Sequence, residues 1–166
     1  MIRWLPFILV SLLWASLCLK DLLAHRYRRI WWWLGCWGLN ALTWTPITIT
    51  LGSSVGDISS FEWAGGTWVL IPLQRASIDL SFWANIVMTV PQGMLFQFNW
   101  SQSRWHRWLL AGLATGLTLE TGQAIFNAGV HLGRWVDIND VLTNCLGVVI
   151  GAACMWELQR HFRWLK

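Results

Sequence analysis

Two polar stripes between residues 116 and 151 carry the side chains best suited to chemistry. The first stripe comprises Gly116, Glu120, Gln123, Asn127 and His131. The second comprises Asp137, Asp140, Asn144, Gly147 and Gly151. Offsets of 4, 7, 11 and 15 in the first stripe, and of 3, 7, 10 and 14 in the second, place each set on one face of a helix. Carboxylates and amides on neighbouring helices suit binding of a polar group, or placement of a water molecule or metal ion beside a general base.

Glu120 is the most informative single residue because it interrupts a long apolar segment. At a rise of about 1.5 Å per residue it lies roughly 18 Å beyond Trp108, just past the middle of a hydrocarbon core about 30 Å thick. A carboxylate at that depth costs about 2.5 to 3.5 kcal/mol, so it must face protein or water, be paired, or be protonated. It marks either a functional pocket or a carboxyl that ties helices together through Gln123 or Asn85.

The other charged candidates each allow a structural and a functional interpretation. Asp137 with Asp140 three residues later resembles a capping box at the positive end of a helix, yet two carboxylates beside Arg134 could also grip a cation or a polar head group. Arg75 either snorkels to the interface or meets an anion. Asn144 either ties two helices by a polar contact or lines a pocket.

Several kinds of site have no support in the sequence. No serine nucleophile elbow, phosphate-binding glycine loop or H-E-x-x-H motif occurs. The four cysteines form no C-x-x-C pair and fall in apolar stretches, so we expect small buried hydrophobes and neither a metal site nor a cofactor. The net charge of +4 comes without a basic stripe interleaved with exposed aromatics, so no nucleic-acid partner is predicted.

The composition is typical of a membrane protein. Of 166 residues, 55% are hydrophobic and only 12% charged, and the mean hydropathy is +0.45. Sixteen tryptophans exceed what a packed interior takes, and most stand near the ends of apolar segments, where the membrane interface favours indoles. The sequence therefore predicts one membrane domain, residues 1–166, of the all-α integral membrane class.

About five transmembrane helices must position the polar stripes. The predicted spans are Trp4–Leu19, about Ile30–Leu51, Leu80–Phe98, Trp108 to about Val130, and about Asp140–Trp156. We interpret the first span as a retained helix and not as a signal peptide. Between helices 2 and 3, a turn-rich loop from Gly52 to Gly66 precedes a re-entrant or interfacial segment, Thr67–Ile71. Gly147 and Gly151 predict a close contact between the fourth and fifth helices.

The orientation follows from the lysines and arginines. Nine fall on one side of the five predicted spans and three on the other, so the positive-inside rule places the N-terminus outside and the C-terminus in the cytoplasm. This predicts a multi-pass protein of the bacterial inner membrane. The polar side chains of Asn85, Gln123 and Asn144 then converge on the outer half of the membrane.

Four sequence pieces carry a family resemblance. They are L-I-P-L-Q at Leu70–Gln74, N-I-V-M-T-V-P-Q-G at Asn85–Gly93, E-T-G-Q at Glu120–Gln123, and D-I-N-D-V-L-T-N-C-L-G at Asp137–Gly147. Over residues 70–151 the chain resembles the VanZ-like membrane proteins, a family named after a protein associated with teicoplanin resistance. The resemblance implies a role in the cell envelope or in susceptibility to glycopeptide-type antibiotics. It also favours a functional role for the residues that match family positions, namely Glu120, Gln123, Asp137, Asp140 and Asn144.

These observations predict an outer-leaflet pocket that binds a cell-envelope lipid or its polar head group. Glu120, Gln123, Asn85 and Asn144 would line it, Asp137 and Asp140 would shape its rim, and Arg75 and Arg134 would meet a phosphate or carboxylate. The expected partners are membrane lipids, with a lipid-linked envelope precursor as a further candidate. The alternatives are an intramembrane enzyme with Glu120 as general base, and an oligomeric small transporter or flippase.

Overall fold

Five α-helices make up most of the described chain. The computed structural model describes residues 2–47, 58–74 and 78–162. A short 3-10 helix, Ile2–Trp4, leads into the first α-helix. The helices are α1 Leu5–Leu23, α2 Tyr27–Trp44, α3 Leu80–Asn99, α4 Trp105–Val130 and α5 Ile138–His161. The protein is therefore mostly helical, as predicted.

Helix ends follow the local chemistry of the sequence. α2 stops at Trp44, well short of the predicted Leu51, because Thr45 turns extended and Pro46 cannot continue a helix. α3 starts where predicted, since the Asp79 side chain accepts hydrogen bonds from the backbone N–H groups of Ser81 and Phe82, at 2.9 and 3.1 Å. α5 continues beyond the predicted Trp156 to His161, and residues 163–166 lie outside the described part.

A small sheet corrects the all-α prediction. Strands β1 (Phe61–Trp63) and β2 (Gly66–Val69) form an antiparallel hairpin, and β2 pairs in parallel with β3 (Trp135–Asp137). The two turn residues Ala64 and Gly65 both have positive φ, 49° and 76°, as a two-residue hairpin turn requires. This hairpin occupies part of the predicted loop and re-entrant segment, and it anchors the connection between α2 and α3 to the strand that enters α5.

Glycines on α5 bring it into direct contact with α3. A Cβ at Gly147 would overlap the Ile86 carbonyl oxygen, and one at Gly151 would overlap that of Val90. On α3, Gly93 approaches the backbone of Val148 in the same way. The close contact predicted for Gly147 and Gly151 is present, but the predicted partner was wrong: it is α3, not α4.

α4 uses its own glycines to reach α5. A Cβ at Gly112 would stand 2.7 Å from the Cys145 carbonyl oxygen, and one at Gly116 would stand 2.6 Å from that of Val141. The antiparallel register of these contacts brings the middle of α4 level with the first residue of α5. The last ten residues of α4 therefore extend past the start of α5, where β2 and β3 pack against them.

α1 is held to α2 by tryptophans. The Trp14 indole N–H donates to Asn40 Oδ1 at 2.6 Å, and the Trp37 indole N–H donates to Ser11 Oγ at 3.0 Å. The rings of Trp14 and Trp33 stack with centroids 5.6 Å apart. These contacts pack α1 against α2.

Two segments have both the length and the hydropathy of membrane spans. They are Ile2–Leu23, with mean hydropathy 1.9, and Ile138–His161, with mean hydropathy 1.6. The other three helices have 18 or more residues, or about 27 Å at the helical rise, but carry polar and indole side chains that lower their hydropathy. The described residues thus contain five helices, of which two are candidate spans by length and composition.

Candidate functional site

Glu120 accepts a hydrogen bond from the start of the next helix. Its side chain is 5% exposed, and Oε2 lies 2.9 Å from the backbone N of Asp137. Asp137 is the N-cap of α5, so Glu120 lies level with the first turn of a candidate span and not near its middle. α4 continues beyond this level, so the distance of Glu120 from Trp108 along α4 does not by itself give its depth.

Asp137 caps α5, which confirms the structural interpretation of this residue. Asp137 Oδ1 accepts from the backbone N and from Nδ2 of Asn139, both at 2.8 Å. In a capping box, an acid three residues inside the helix accepts from the backbone N–H of the N-cap residue. Here Glu120 accepts from that N–H instead of Asp140, so the second half of the box comes from a different helix.

Asp140 faces α3. Its half-buried carboxylate is hydrogen-bonded to the side chain of Asn85, which places these two predicted site residues together. Glu120, Asp137 and Asp140 are close enough to act on one another electrostatically, and Asp79 at the head of α3 acts on both aspartates. The site is thus an acidic cluster at the level where α3 and α5 begin.

Charge balance within the cluster is one-sided. None of the ion pairs among the described residues includes Glu120, Asp137 or Asp140. Burial raises the pKa of Asp137 above its ordinary value, although the hydrogen bonds from Asn139 act in the opposite direction. The cluster therefore gathers acceptor oxygens without a cation from the described part of the chain.

Two buried amides next to the cluster lack a partner for their oxygen. Gln123, one turn from Glu120 on α4, is 7% exposed, and Asn144, one turn from Asp140 on α5, is 1% exposed. Neither Gln123 Oε1 nor Asn144 Oδ1 accepts a hydrogen bond within the described residues. Because buried polar groups are nearly always satisfied, both oxygens call for a donor that the described residues do not supply.

The Arg134 side chain contacts backbone carbonyls just beyond the end of α2, a role that the sequence did not predict. Its Nη2 donates to the carbonyl oxygens of Thr45 and Ile47, at 3.0 and 2.7 Å, just beyond the last residue of α2. These carbonyls follow a helix end, where partners for C=O groups are lacking and positive charge is favoured. Burial lowers the pKa of Arg134. The guanidinium thus holds the α2 end, and Arg75, the other predicted anion contact, lies outside the described residues.

Two asparagines missing from the predicted site hold it together. Asn127, 1% exposed, donates from Nδ2 to the Arg134 carbonyl oxygen at 2.7 Å and accepts at Oδ1 from the Arg134 backbone N at 3.0 Å. Asn139, also 1% exposed, accepts at Oδ1 from the backbone N of Leu73 at 2.7 Å. Asn127 stands on the first polar stripe, so spacing signalled it, whereas Asn139 lies off the second stripe.

The carboxyl and amide oxygens of the cluster are better suited to hydrogen-bond donors than to metal ions. Among the described residues, no three His, Cys, Asp or Glu side chains are grouped so that they could hold a metal ion. Three carboxylates and two unpartnered carbonyl oxygens can instead accept from several hydroxyl or ammonium groups at once. The arrangement is therefore suited to a ligand rich in such donors.

Comparison with known proteins gives one match. The family model described as VanZ/LLP1 matches residues 7–160. No curated protein and no solved structure matches the chain.

Proposed function

Since the chain belongs to the VanZ/LLP1 family, we propose that it binds the polar head group of a cell-envelope lipid at the acidic cluster. The family and the two apolar helices indicate a membrane protein. The observation that carries the proposal is the pair of buried, unpartnered oxygens on Gln123 and Asn144 beside three carboxylates. Helix packing alone would not explain why these acceptors are buried without donors.

The chemistry of the site narrows the head group. The described acceptors come from Glu120, Asp137, Asp140, Gln123 and Asn144, while Arg134 is engaged with the end of α2. The ligand therefore offers several donors, as sugar hydroxyls or amines do, and a lipid-linked envelope precursor fits this description. Arg75 stays in the proposal as the group that meets a phosphate of the same ligand. By binding such a lipid, the protein would withdraw it from the envelope. Envelope homeostasis or susceptibility to glycopeptide-type antibiotics would then change.

Lipid analysis of the purified protein tests this function. Protein extracted gently from membranes is expected to carry an envelope lipid enriched over the bulk membrane, with hydroxyl or amine groups on its head. Asn144→Ala removes one unpartnered acceptor and should lower that enrichment about tenfold, the scale of one hydrogen bond to a charged donor. Gln102→Ala, which removes an exposed amide in the turn between α3 and α4, is the control and should keep the lipid. No enrichment in the wild type, or equal enrichment in Asn144→Ala, would end the proposal.

The proposed topology places the cluster in the outer half of the bacterial inner membrane, with five spans and a cytoplasmic C-terminus. Cysteine labelling in intact cells checks this. Ser60→Cys on the hairpin side is expected to react with an impermeant thiol reagent, and Gln102→Cys between α3 and α4 is not; both positions are exposed. Ser103, in the same turn as Gln102, would be a poor position for the labelling cysteine. It is 7% exposed and donates to Gln97 Oε1 at 2.6 Å. Reversed labelling would move the site to the cytoplasmic leaflet.

An intramembrane enzyme acting on a lipid-linked or amphiphilic substrate is the second candidate. The observation in its favour is that Glu120, Asp137 and Asp140 act on one another electrostatically, as groups that share acid and base roles do. Turnover of the enriched lipid that stops in the triple variant Glu120→Gln, Asp137→Asn, Asp140→Asn would favour the enzyme. Turnover that survives these changes would exclude it. A transporter would need several copies of this small chain to form a pathway.

A further inference from the structure

A basic cavity lies where α2 begins and α3 ends, opposite the acidic cluster, and an apolar groove lies further along the same two helices. The cavity, of about 370 Å³, is lined by His25, Arg26, Tyr27, Arg28, Arg29 and Asn99. The groove, of about 400 Å³, is lined by residues of α2 and α3 that include Gly38, Leu42, Met88 and Gln92. We propose that the two features bind one anionic phospholipid, with its phosphate in the basic cavity and an acyl chain in the groove.

The positive groups of the cavity are held in place by the protein. Arg28 donates to the Phe98 carbonyl oxygen, and its guanidinium lies 4.1 Å from the centroid of the Phe98 ring. Arg26 Nη1 is 3.7 Å from Asp21, whose buried side chain fixes this arginine. Arg29 also lines the cavity, and it makes no side-chain hydrogen bond or ion pair within the described residues that would occupy its donors. Three guanidiniums against one carboxylate leave an excess of positive charge.

The N-terminus of α2 adds to the positive electrostatic potential of the cavity. α2 begins at Tyr27, and its N-cap residue, Arg26, makes no side-chain capping hydrogen bond. The first N–H groups of an uncapped helix and its positive dipole end favour an anion at this place. The helix end and the arginines therefore act in the same direction, and an acidic partner from the described residues is limited to Asp21.

The surroundings of the cavity match the interfacial region of a membrane. Trp31 and Trp100 stand next to it and are 61% and 45% exposed. Exposed indoles of this kind mark the level of lipid head groups, and basic pockets between helices at that level bind anionic lipid head groups. A phosphate held here belongs most naturally to a lipid.

The groove provides the place for the chain. A Cβ at Gly38 would meet nothing within 4 Å, so the surface between α2 and α3 is open there. Gly38 lies nine residues along α2 from Arg29, roughly 13 Å at the helical rise, and one leaflet of hydrocarbon is about 15 Å thick. Gln92 lines the groove, is 4% exposed, and its Oε1 accepts no hydrogen bond from the described residues. An acyl chain that starts at the basic cavity therefore reaches the groove.

Native mass spectrometry of the protein released from nanodiscs tests the site. With mixed zwitterionic and anionic phospholipids, the wild type is expected to retain phosphatidylglycerol in preference to phosphatidylcholine. Arg29→Gln should lower the retained fraction about tenfold, because a charged hydrogen-bond donor is lost. Gly38→Leu should lower it as well by filling the groove, without a change in thermal stability.

Matched controls separate this site from general attraction to anionic lipids. Arg104→Gln removes an exposed charge at the same end of the protein, and Gly129→Leu adds the same side chain at another open glycine; both should retain the lipid. Unchanged retention in Arg29→Gln or Gly38→Leu would refute the site. Equal binding of soluble glycerol phosphate would show an anion site without a role for the chain, and would refute the lipid assignment. Neither result bears on the acidic cluster, whose test uses other variants.

Discussion

Gly151→Leu is expected to remove nearly all folded protein. A Cβ at this position would overlap the carbonyl oxygen of Val90 and stand 3.0 Å from the backbone N of Met94, so backbone and not a flexible side chain would have to move. Overpacking of side chains costs about 1 to 3 kcal/mol. A leucine forced against helix backbone should exceed about 3 kcal/mol, which is a large part of the stability of a small domain.

Yield and thermal unfolding in detergent measure this effect. Gly129→Leu is the matched control, since it introduces the same side chain into α4 at a position where a Cβ meets nothing within 4 Å. It should change the free energy of unfolding by less than about 0.5 kcal/mol. Normal yield and an unchanged unfolding temperature in Gly151→Leu would show that α3 and α5 do not meet through their glycine faces.

Glu120→Gln is expected to separate the structural from the functional role of the acid. Glutamine keeps a carbonyl oxygen for the backbone N–H of Asp137, so the cap of α5 survives and stability should fall by no more than about 1 kcal/mol. Glutamine, however, offers one acceptor oxygen where the carboxyl group has two. Binding of a donor-rich head group should therefore weaken tenfold or more, and any change in lipoglycopeptide susceptibility that the protein confers should disappear.

Two further variants bracket this result. Glu120→Leu removes the acceptor as well as the charge, and should destabilise the protein by about 1 to 3 kcal/mol because the Asp137 N–H is left unpaired. Glu157→Gln, an exposed acid on α5, is the matched control and should change neither lipid content nor stability. If Glu120→Gln keeps both the enriched lipid and the susceptibility phenotype, the carboxylate serves only to cap α5.

The sequence located the helices well because long apolar runs leave few alternatives. All five helices start within three residues of the prediction, and the family resemblance is confirmed over a longer stretch than the motifs covered. The hairpin was missed because Phe61–Trp63 and Gly66–Val69 are only three and four residues long, too short for an alternating pattern to be distinguished from a loop.

The hydrogen-bond and packing partners of the site residues were harder to predict from the sequence than their positions in the helices. Spacing brought Glu120 and Asp137 into one region, but it could not show that the carboxylate accepts from a backbone N–H, since that depends on the register between α4 and α5. The direction of the Arg134 side chain depends on where α2 ends, since it contacts Thr45, 89 residues earlier in the chain. The glycines of α5 indicated a close contact, yet a small face does not specify which neighbouring helix it meets.

The parallel pairing of β2 with β3 has a consequence for biogenesis. A nascent chain presents β1 and β2 long before Trp135–Asp137 emerges, and until then β2 has an unpaired edge. Contacts between residues so far apart in sequence form late, since the intervening chain must first be placed. β3 can therefore pair only after the chain of α3 and α4, which lies between β2 and β3, has been made. A chain truncated before Trp135 would keep one edge of β2 unpaired, and such an open edge can pair with a second chain.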